Sequence, residues 1–479
     1  MPRRVGLLAL AAAGLAALWL LGRAGRAPPL AVPPQGTVLA GVTLVHPGAG
    51  REPERTLSVR GGRIYRIEPA GPGAGGGPYS GAFVLPGLID LHVHHPPAWA
   101  PGERELYALL FLAHGVTAVR ETGSFFGAIE PHRRRIAAGE VAGPRIFSCG
   151  PFLDGDPPTW PGARIVTDAA SARKALAELA EAGLDCVKVY NGVSEASLAA
   201  IHDAAAARNL PVVAHVPRGT GIEQLGGAEV QHLMGLTRSW REVSPERIAW
   251  YVETSRRNGA LHTPTLVAFA QGAKLTDVES LRDEPASRLV PAHYREILWD
   301  PARNPLVLEL LRASGGPWAP RVATMQATVR ALHAAGVPVL AGSDTGNPFV
   351  VPGASLQAEL GHLVDAGLSP EEAWLAATRQ AAAALGRPAL GRLAPGAPAD
   401  LLVFRDDPTR DLAALATLEA VVAGGRLYPK QALDAALARQ RTDFDGPVRA
   451  TLSRWGARLL VAAMELRRAW VVARQPARE

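Results

Sequence analysis

The chain has 479 residues, 48% of them hydrophobic and 20% charged, a composition that buries a substantial core and excludes a disordered protein. Fifty Lys and Arg against 44 acids give a net charge of +6, but the excess lies at the ends. Residues 1–30 carry four Arg and no acid, and residues 430–479 carry ten bases and five acids, so the stretch 31–429 is at −3. That argues against a nucleic-acid partner for the core.

Val5 to Leu21 is a run of 17 residues without a charge or polar side chain, behind the basic Arg3-Arg4. Its length lies between a signal-peptide apolar region and a membrane span, and a Pro-rich spacer, 27–34, follows. Residues 1–30 are therefore expected to be a signal peptide or N-terminal membrane anchor. The rest would then be exported to the cell envelope, periplasmic or outer-facing.

Residues 31–85 predict short strands, Val38–Val45, Arg55–Val59, Arg63–Ile67 and Ala82–Leu85, separated by Gly and Pro turns. Residues 388–429 resume that style, with Asp400–Phe404 and Glu419–Val422. The two pieces are expected to build one small β-sandwich domain. Between them, over 86–387, strand-like runs alternate with helical patterns. The strands are Leu88–His94, Val116–Glu121, Arg145–Cys149, Cys186–Tyr190, Val212–His215, Glu229–His232, Leu261–Leu266 and Val337–Asp344. The helices are Glu103–His114, Ala128–Ala138, Ala169–Ala182, Glu195–Arg208, Pro245–Asn258 and Ala319–Ala335. This alternation predicts a (β/α)8 TIM barrel. Residues 267–318 form a long connection, read as a substrate lid or a solvated insertion. Cys149 and Cys186 are too few for a disulfide scaffold, and two buried thiols are expected rather than one bridge.

Residues 430–479 predict a C-terminal amphipathic helical segment. Leu452, Trp455, Leu459, Leu466 and Trp470 recur at three- and four-residue spacing, with Arg454, Arg458 and Arg468 elsewhere around the helix. Such a helix packs on the barrel or lies on a membrane surface.

The chemistry sits at the strand ends. In Asp90-Leu-His92-Val-His94, the period of two places Asp90, His92 and His94 on one face. Later strands end in His215, His232 and Asp344, and the active sites of such barrels lie at these ends. Lys188 lies inside an apolar strand, where an ammonium ion is costly. Only four of the 50 basic residues are Lys, so Lys188 is not a routine surface cation. A neutral amine can take up carbon dioxide as a carbamate that bridges two metals, which a guanidinium cannot do.

These motifs, Pro86-Gly-Leu-Ile-Asp90-Leu-His92-Val-His94 followed by Lys188, His215, His232 and Asp344, resemble the amidohydrolase superfamily. More narrowly they resemble its imidazolonepropionase-like and Xaa-Pro-dipeptidase-like metal-dependent hydrolases. Supporting stretches are Gly115-Val-Thr-Ala-Val-Arg120, Gly143-Pro-Arg145, Asp185-Cys-Val-Lys188-Val-Tyr190, Gly342-Ser-Asp344-Thr-Gly-Asn-Pro-Phe349, Gly391-Arg-Leu-Ala-Pro-Gly396 and Ala399-Asp400-Leu-Leu-Val403. The resemblance covers about 36–430. Glu121 and Gln231 depart from the Asp and Glu of many relatives, and Gln231 is expected to alter the support of His232.

The resemblance implies two divalent metal ions, zinc foremost, bridged by carboxylated Lys188 and a hydroxide. His92, His94 and Asp344 would hold one ion, and His215 and His232 the other. The bridging hydroxide would hydrolyse an amide or peptide-type C–N bond, with Asp344 as base and then acid. Tyr190 is assigned a hydrogen bond to the substrate or oxyanion; Arg120 is read as held by a neighbouring acid, with a substrate carboxylate as the lesser alternative. The alternatives are a mononuclear deaminase or cyclic-amide hydrolase with unmodified Lys188, and a non-catalytic metal-bearing binding protein. The expected partners are a small-molecule substrate and, through the chain's ends, a membrane; no nucleic acid is expected, and a homo-oligomer stays open.

Overall fold

The structure is a computed structural model and describes residues 28–97, 100–123, 128–160, 162–237, 243–313 and 318–473. The expected membrane or signal segment lies almost wholly outside the described residues. The first strands are β1 (Thr37–His46), β2 (Gly50–Arg60), β3 (Arg63–Pro69) and β4 (Phe83–Pro86). Next come β5 (Leu88–Val93), β6 (Val116–Glu121), β7 (Arg145–Ser148), β8 (Leu153–Asp154) and β9 (Arg164–Ile165). Then follow β10 (Val187–Val189), β11 (Val212–Ala214), β12 (Glu229–Gln231) and β13 (Leu261–Thr263), and last β14 (Leu401–Phe404), β15 (Leu418–Ala423) and β16 (Arg426–Pro429).

The two β-rich pieces do come together across the chain. They form one seven-stranded mixed sheet, in the order β16-β15-β14-β4-β1-β2-β3, and not two facing sheets as a sandwich requires. The sheet curls around its own apolar residues, among them Leu44, Leu57, Val84, Leu401 and Val422. Its two ends meet at paired glycine turns. Gly61-Gly62 and Gly424-Gly425 all have positive φ, as tight hairpins demand. A Cβ on Gly425 would lie 2.5 Å from the Gly62 Cα, so the turns touch only because both lack side chains.

The central region carries two parallel sheets. One is β5-β6-β7, and the other is β13-β12-β11-β10-β8-β9. The expected eighth strand, 337–344, is corrected: it pairs only through isolated bridges at Val339 and Thr345. Pro338 lacks an N–H, which limits any ladder there. The segment nevertheless runs between β13 and β5. Leu340 donates to the His262 carbonyl at 2.8 Å, and Leu91 donates to the Ala341 carbonyl at 3.2 Å. On the opposite side the Asp185 amide, just before β10, donates to the last carbonyl of β7 at 2.8 Å.

That closeness overturns the expectation for the cysteines. Cys149 and Cys186 follow β7 and precede β10, 4.4 Å apart at Cα, and are joined as a disulfide. Two adjacent parallel segments bring the side chains within bonding reach, which their 37-residue separation conceals. Residues 267–318 are largely helical, with helices Leu266–Lys274, Val278–Asp283 and Pro305–Ala313. The C-terminal segment breaks at Gly446-Pro447 into helices Lys430–Asp445 and Pro447–Ala473. The second packs Ala457 and Val461 against Ile297 and leaves Trp455, Leu459 and Leu466 exposed. The side chains of Arg468 and Trp470 lie outside the described residues.

Arg120 sits at the heart of this region. It is buried, and its guanidinium grips both oxygens of Glu229, while its Nε donates to the Leu91 carbonyl at 2.8 Å. Of the two readings of Arg120, the structure gives the neighbouring acid and not the substrate carboxylate: its inward position on β6 faces Glu229, on β12, instead of the mouth. Removing one partner of a buried ion pair strands the other charge. Arg120→Met should therefore cost about 3–5 kcal/mol of stability, read as a lowered urea midpoint.

Candidate metal centre

The strand ends deliver four imidazoles and one carboxylate to one place. Asp344 Oδ1 lies 3.3 Å from Nε2 of both His92 and His94, and its Oδ2 lies 3.8 Å from Nδ1 of His232. The His92 and His232 rings are 4.8 Å apart, and those of His215 and His232 are 5.0 Å apart. His92, His232 and Asp344 can each offer one ligand atom within 4.8 Å of the others. His232 and Asp344 both have positive φ, 59° and 61°. Such conformations cost about 1–3 kcal/mol and persist where the surroundings fix them for a purpose. Here they turn side chains at the end of a strand toward a common centre.

Each imidazole is anchored through Nδ1. His92 meets Gln231 Oε1 at 2.5 Å, and His94 meets the Gly123 carbonyl at 3.1 Å. His215 meets Asn191 Oδ1 at 3.0 Å, and His232 meets Thr265 Oγ1 at 2.7 Å. An acceptor at Nδ1 fixes the proton there and leaves Nε2 unprotonated for a metal ion. Burial pushes His92 and His215 well below the usual imidazole range, so both are neutral, the form that ligates.

Gln231 therefore supports His92, correcting the expectation that it alters His232. The reason for an amide lies beneath it. Gln231 Nε2 donates to Glu229 Oε1 at 2.9 Å, and Arg120 holds Glu229 from the other side. A Glu at 231 would press a second carboxylate against the first. The chain Arg120–Glu229–Gln231–His92 thus sets the amide's orientation without ambiguity. Gln231→Leu should lower metal affinity about 10- to 100-fold, read by competition with a chromogenic chelator.

Glu121, the other departure, serves His95. It accepts from the His95 amide at 2.9 Å and binds the His95 ring at Nδ1. That turns His95 away from the centre, against Phe111 and His132. Asp90 shares the inward face but acts as a brace. It accepts from the Ser343 amide at 2.9 Å and hydroxyl at 2.6 Å, which holds the loop that presents Asp344.

Lys188 is fully buried on β10, and among the described residues its Nζ has no hydrogen-bond partner. Burial pushes it down to about 7, with Asp344 and Glu229 opposing and Arg120 assisting. Much of it is thus a neutral amine near neutral pH, unlike an ordinary lysine. An orphaned buried nitrogen beside the neutral imidazoles of His92, His215 and His232 fits a metal centre far better than it fits a packed core.

Three parts of the site carry no recognisable sequence motif. Glu359 is buried in the helix Ala354–Asp365 and accepts from the Leu266 and Val267 amides at 3.0 and 2.7 Å. It caps the helix after Thr265 and so holds the partner of His232. Trp160, reached through the small β8–β9 extension, donates to the Tyr190 hydroxyl at 2.9 Å. Tyr190 lies 4.2 Å from the His215 ring, at the rim. Burial pushes its phenol up to about 12, so it stays a neutral donor. Phe152 and Phe269 complete the walls beside His94 and His232.

The fold is similar to that of a bottromycin amidohydrolase, at TM-score 0.69 and 27% identity, over 87% of this chain and 92% of that one. It is also similar to a Xaa-Pro dipeptidase with methionine bound in its active site, at TM-score 0.62 and 20% identity, over 82% and 100% of the two chains. An imidazolonepropionase from Chromobacterium violaceum is 48% identical over 83 residues, 17% of this chain. The alignment spans 20% of that curated relative's length. The Amidohydrolase family model matches residues 83–427, which contain every residue placed at the centre. The protein belongs to the amidohydrolase family.

Proposed function

We propose that the protein hydrolyses an amide or peptide-type C–N bond of a small molecule at a centre of two divalent metal ions. The observation that carries this is the convergence of His92, His94, His215, His232 and Asp344 around the orphaned amine of Lys188. His92, His94 and Asp344 would hold one ion, His215 and His232 the other, and carboxylated Lys188 would bridge them. Two such ions, zinc foremost, acidify water and polarise a carbonyl.

The chain's own groups do the rest. Burial would raise the Asp344 carboxyl, but His232, His94 and Lys188 together hold it below the usual range, so it is ionised and can take a proton from water. It returns that proton to the departing nitrogen. Tyr190, braced by Trp160, donates its hydroxyl proton toward the developing oxyanion. The bonds joining β7 to β10, and residues 337–345 to β13 and β5, support a closed eight-stranded barrel that holds these groups rigidly.

One observation favours a second reading. The tightest cluster, His92, His232 and Asp344, suits a single ion with Lys188 unmodified. Metal content per chain decides between the two. The activity test is a screen of metal-loaded protein against dipeptides, N-acyl amino acids, lactams and esters, with a chelator as control. Bound metal without turnover anywhere would sink the hydrolase reading.

We also propose export to the cell envelope, supported by the apolar segment 5–21 and by the Cys149–Cys186 disulfide, a bond that persists in oxidising compartments. Among the described residues no helix is long and apolar enough to cross a membrane. The exposed Trp455, Leu459 and Leu466 support a helix lying on a membrane surface. Cell fractionation with antibody detection tests both, and recovery in the cytosol overturns them.

A further inference from the structure

A buried carboxylate lies under the rim of the centre, outside its donor set. Asp154 ends β8 and is fully buried. Its charge is met by backbone N–H groups. Oδ1 accepts from the Gly155 and Gly192 amides at 2.9 and 2.6 Å, and Oδ2 accepts from the Thr159 amide at 2.7 Å. A carboxylate is costly to bury, and charge-assisted bonds of this kind are the strong ones that offset the cost. They also join two separate loops, residues 155–159 after β8 and Gly192 after β10. Two glycines let the loops meet. A Cβ on Gly155 would lie 2.0 Å from the Gly192 carbonyl oxygen, and one on Gly192 would lie 2.7 Å from Asp154 Oδ1.

Each loop carries a side chain that reaches the centre. Asn191, one residue before Gly192, meets Nδ1 of His215 through its Oδ1 at 3.0 Å. Its carbonyl also accepts from the Arg218 amide at 2.9 Å, three residues past His215. Trp160, one residue after Thr159, donates to the Tyr190 hydroxyl at 2.9 Å. Trp160 is 44% exposed, so packing alone does little to fix its indole, and the loop beneath must do so.

We propose that Asp154 is a positioning residue for two parts of the centre: through Gly192 it sets Asn191 against His215, and through Thr159 it sets Trp160 against Tyr190. This rests on the reading of an amide-cleaving metal centre, and it adds how a metal ligand and the oxyanion donor are held in register.

The test compares wild type, Asp154→Ala, Tyr190→Phe and the double variant. Zinc affinity, read by competition with a chromogenic chelator, should fall about 10- to 100-fold in Asp154→Ala. At saturating zinc, kcat on the best amide should fall about 10- to 100-fold with KM within a few-fold. In the Tyr190→Phe background the same change should cost less than about 3-fold, because the hydroxyl it positions is already gone. Asp154→Asn keeps one acceptor oxygen and should recover part of these losses. The proposal is overturned if zinc affinity is unchanged, or if the kcat loss is the same with and without the Tyr190 hydroxyl, whatever happens to the urea midpoint. Should Asp154→Ala fail to fold, Thr159→Pro removes one of the donated N–H groups from an exposed loop and should reproduce the Tyr190-dependent loss; its absence overturns the proposal equally. If wild type turns over no amide, the hydrolase reading fails, and zinc affinity still decides whether Asp154 positions the ligand.

Discussion

Asp344→Asn should lower kcat by about 10²- to 10⁴-fold on the best amide substrate while leaving the protein folded. The expectation has two parts. The first is chemical. The carboxylate lies within 3.3 Å of two imidazole nitrogens and, among the described residues, is the one acid presented to all of His92, His94 and His232. An amide of the same shape can still contact a ligand but cannot take a proton from water and return it to a leaving nitrogen. The second is conformational. Asp344 has φ 61°, a left-handed backbone in which Asn is among the few side chains at ease. Its amide also donates to the His92 carbonyl at 2.8 Å, a bond that a side-chain change does not remove. Asp344→Ala would mix lost chemistry with backbone strain, whereas Asp344→Asn separates them. The measurement is kcat together with the thermal midpoint and the metal content. A kcat within a few-fold of wild type, at unchanged metal content, would remove Asp344 from the proton transfer.

What could be read from the sequence was what repeats locally. The period of two in β5 places Asp90, His92 and His94 on one face, and a lysine inside an apolar strand stands out in a chain with four lysines. Strand ends bearing His or Asp gave the rest of the donor set. What could not be read was what joins distant segments. Arg120 and Glu229 are 109 residues apart, and only their placement on β6 and β12 makes them partners. The alternation Glu229-Val-Gln231 was the available signal, because it points two polar side chains inward from one short strand. Glu359 gave none, since its role depends on a helix end some 90 residues away. The fold diverged for similar reasons. Paired glycines mark hairpins but not that one sheet will curl upon itself, and the two cysteines pair through a contact between β7 and β10 that no local pattern encodes.

Lys188→Met should move stability in opposite directions with and without metal. The side chains are similar in volume, so the exchange leaves little cavity. In metal-free protein Lys188 Nζ is buried without a hydrogen-bond partner among the described residues, and such a group costs about 1–3 kcal/mol. Methionine removes that cost, so the metal-free variant should unfold at a higher urea concentration than metal-free wild type. In metal-loaded protein the order should reverse. Binding to the native state stabilises it in proportion to affinity and free ion. A thioether can neither form a carbamate nor bridge two ions. Metal content should drop from about two ions per chain to one or none, and activity should fall with it. A purely packed lysine would give the first effect and not the second. A ligand present only as a neutral amine would give one ion in wild type and a smaller loss. The urea midpoints with and without zinc, set beside metal counts by elemental analysis, therefore separate a bridging lysine from a single-ion centre and from a structural one. If both forms of the variant were more stable than wild type at unchanged metal content, Lys188 would be part of the core and not of the metal centre.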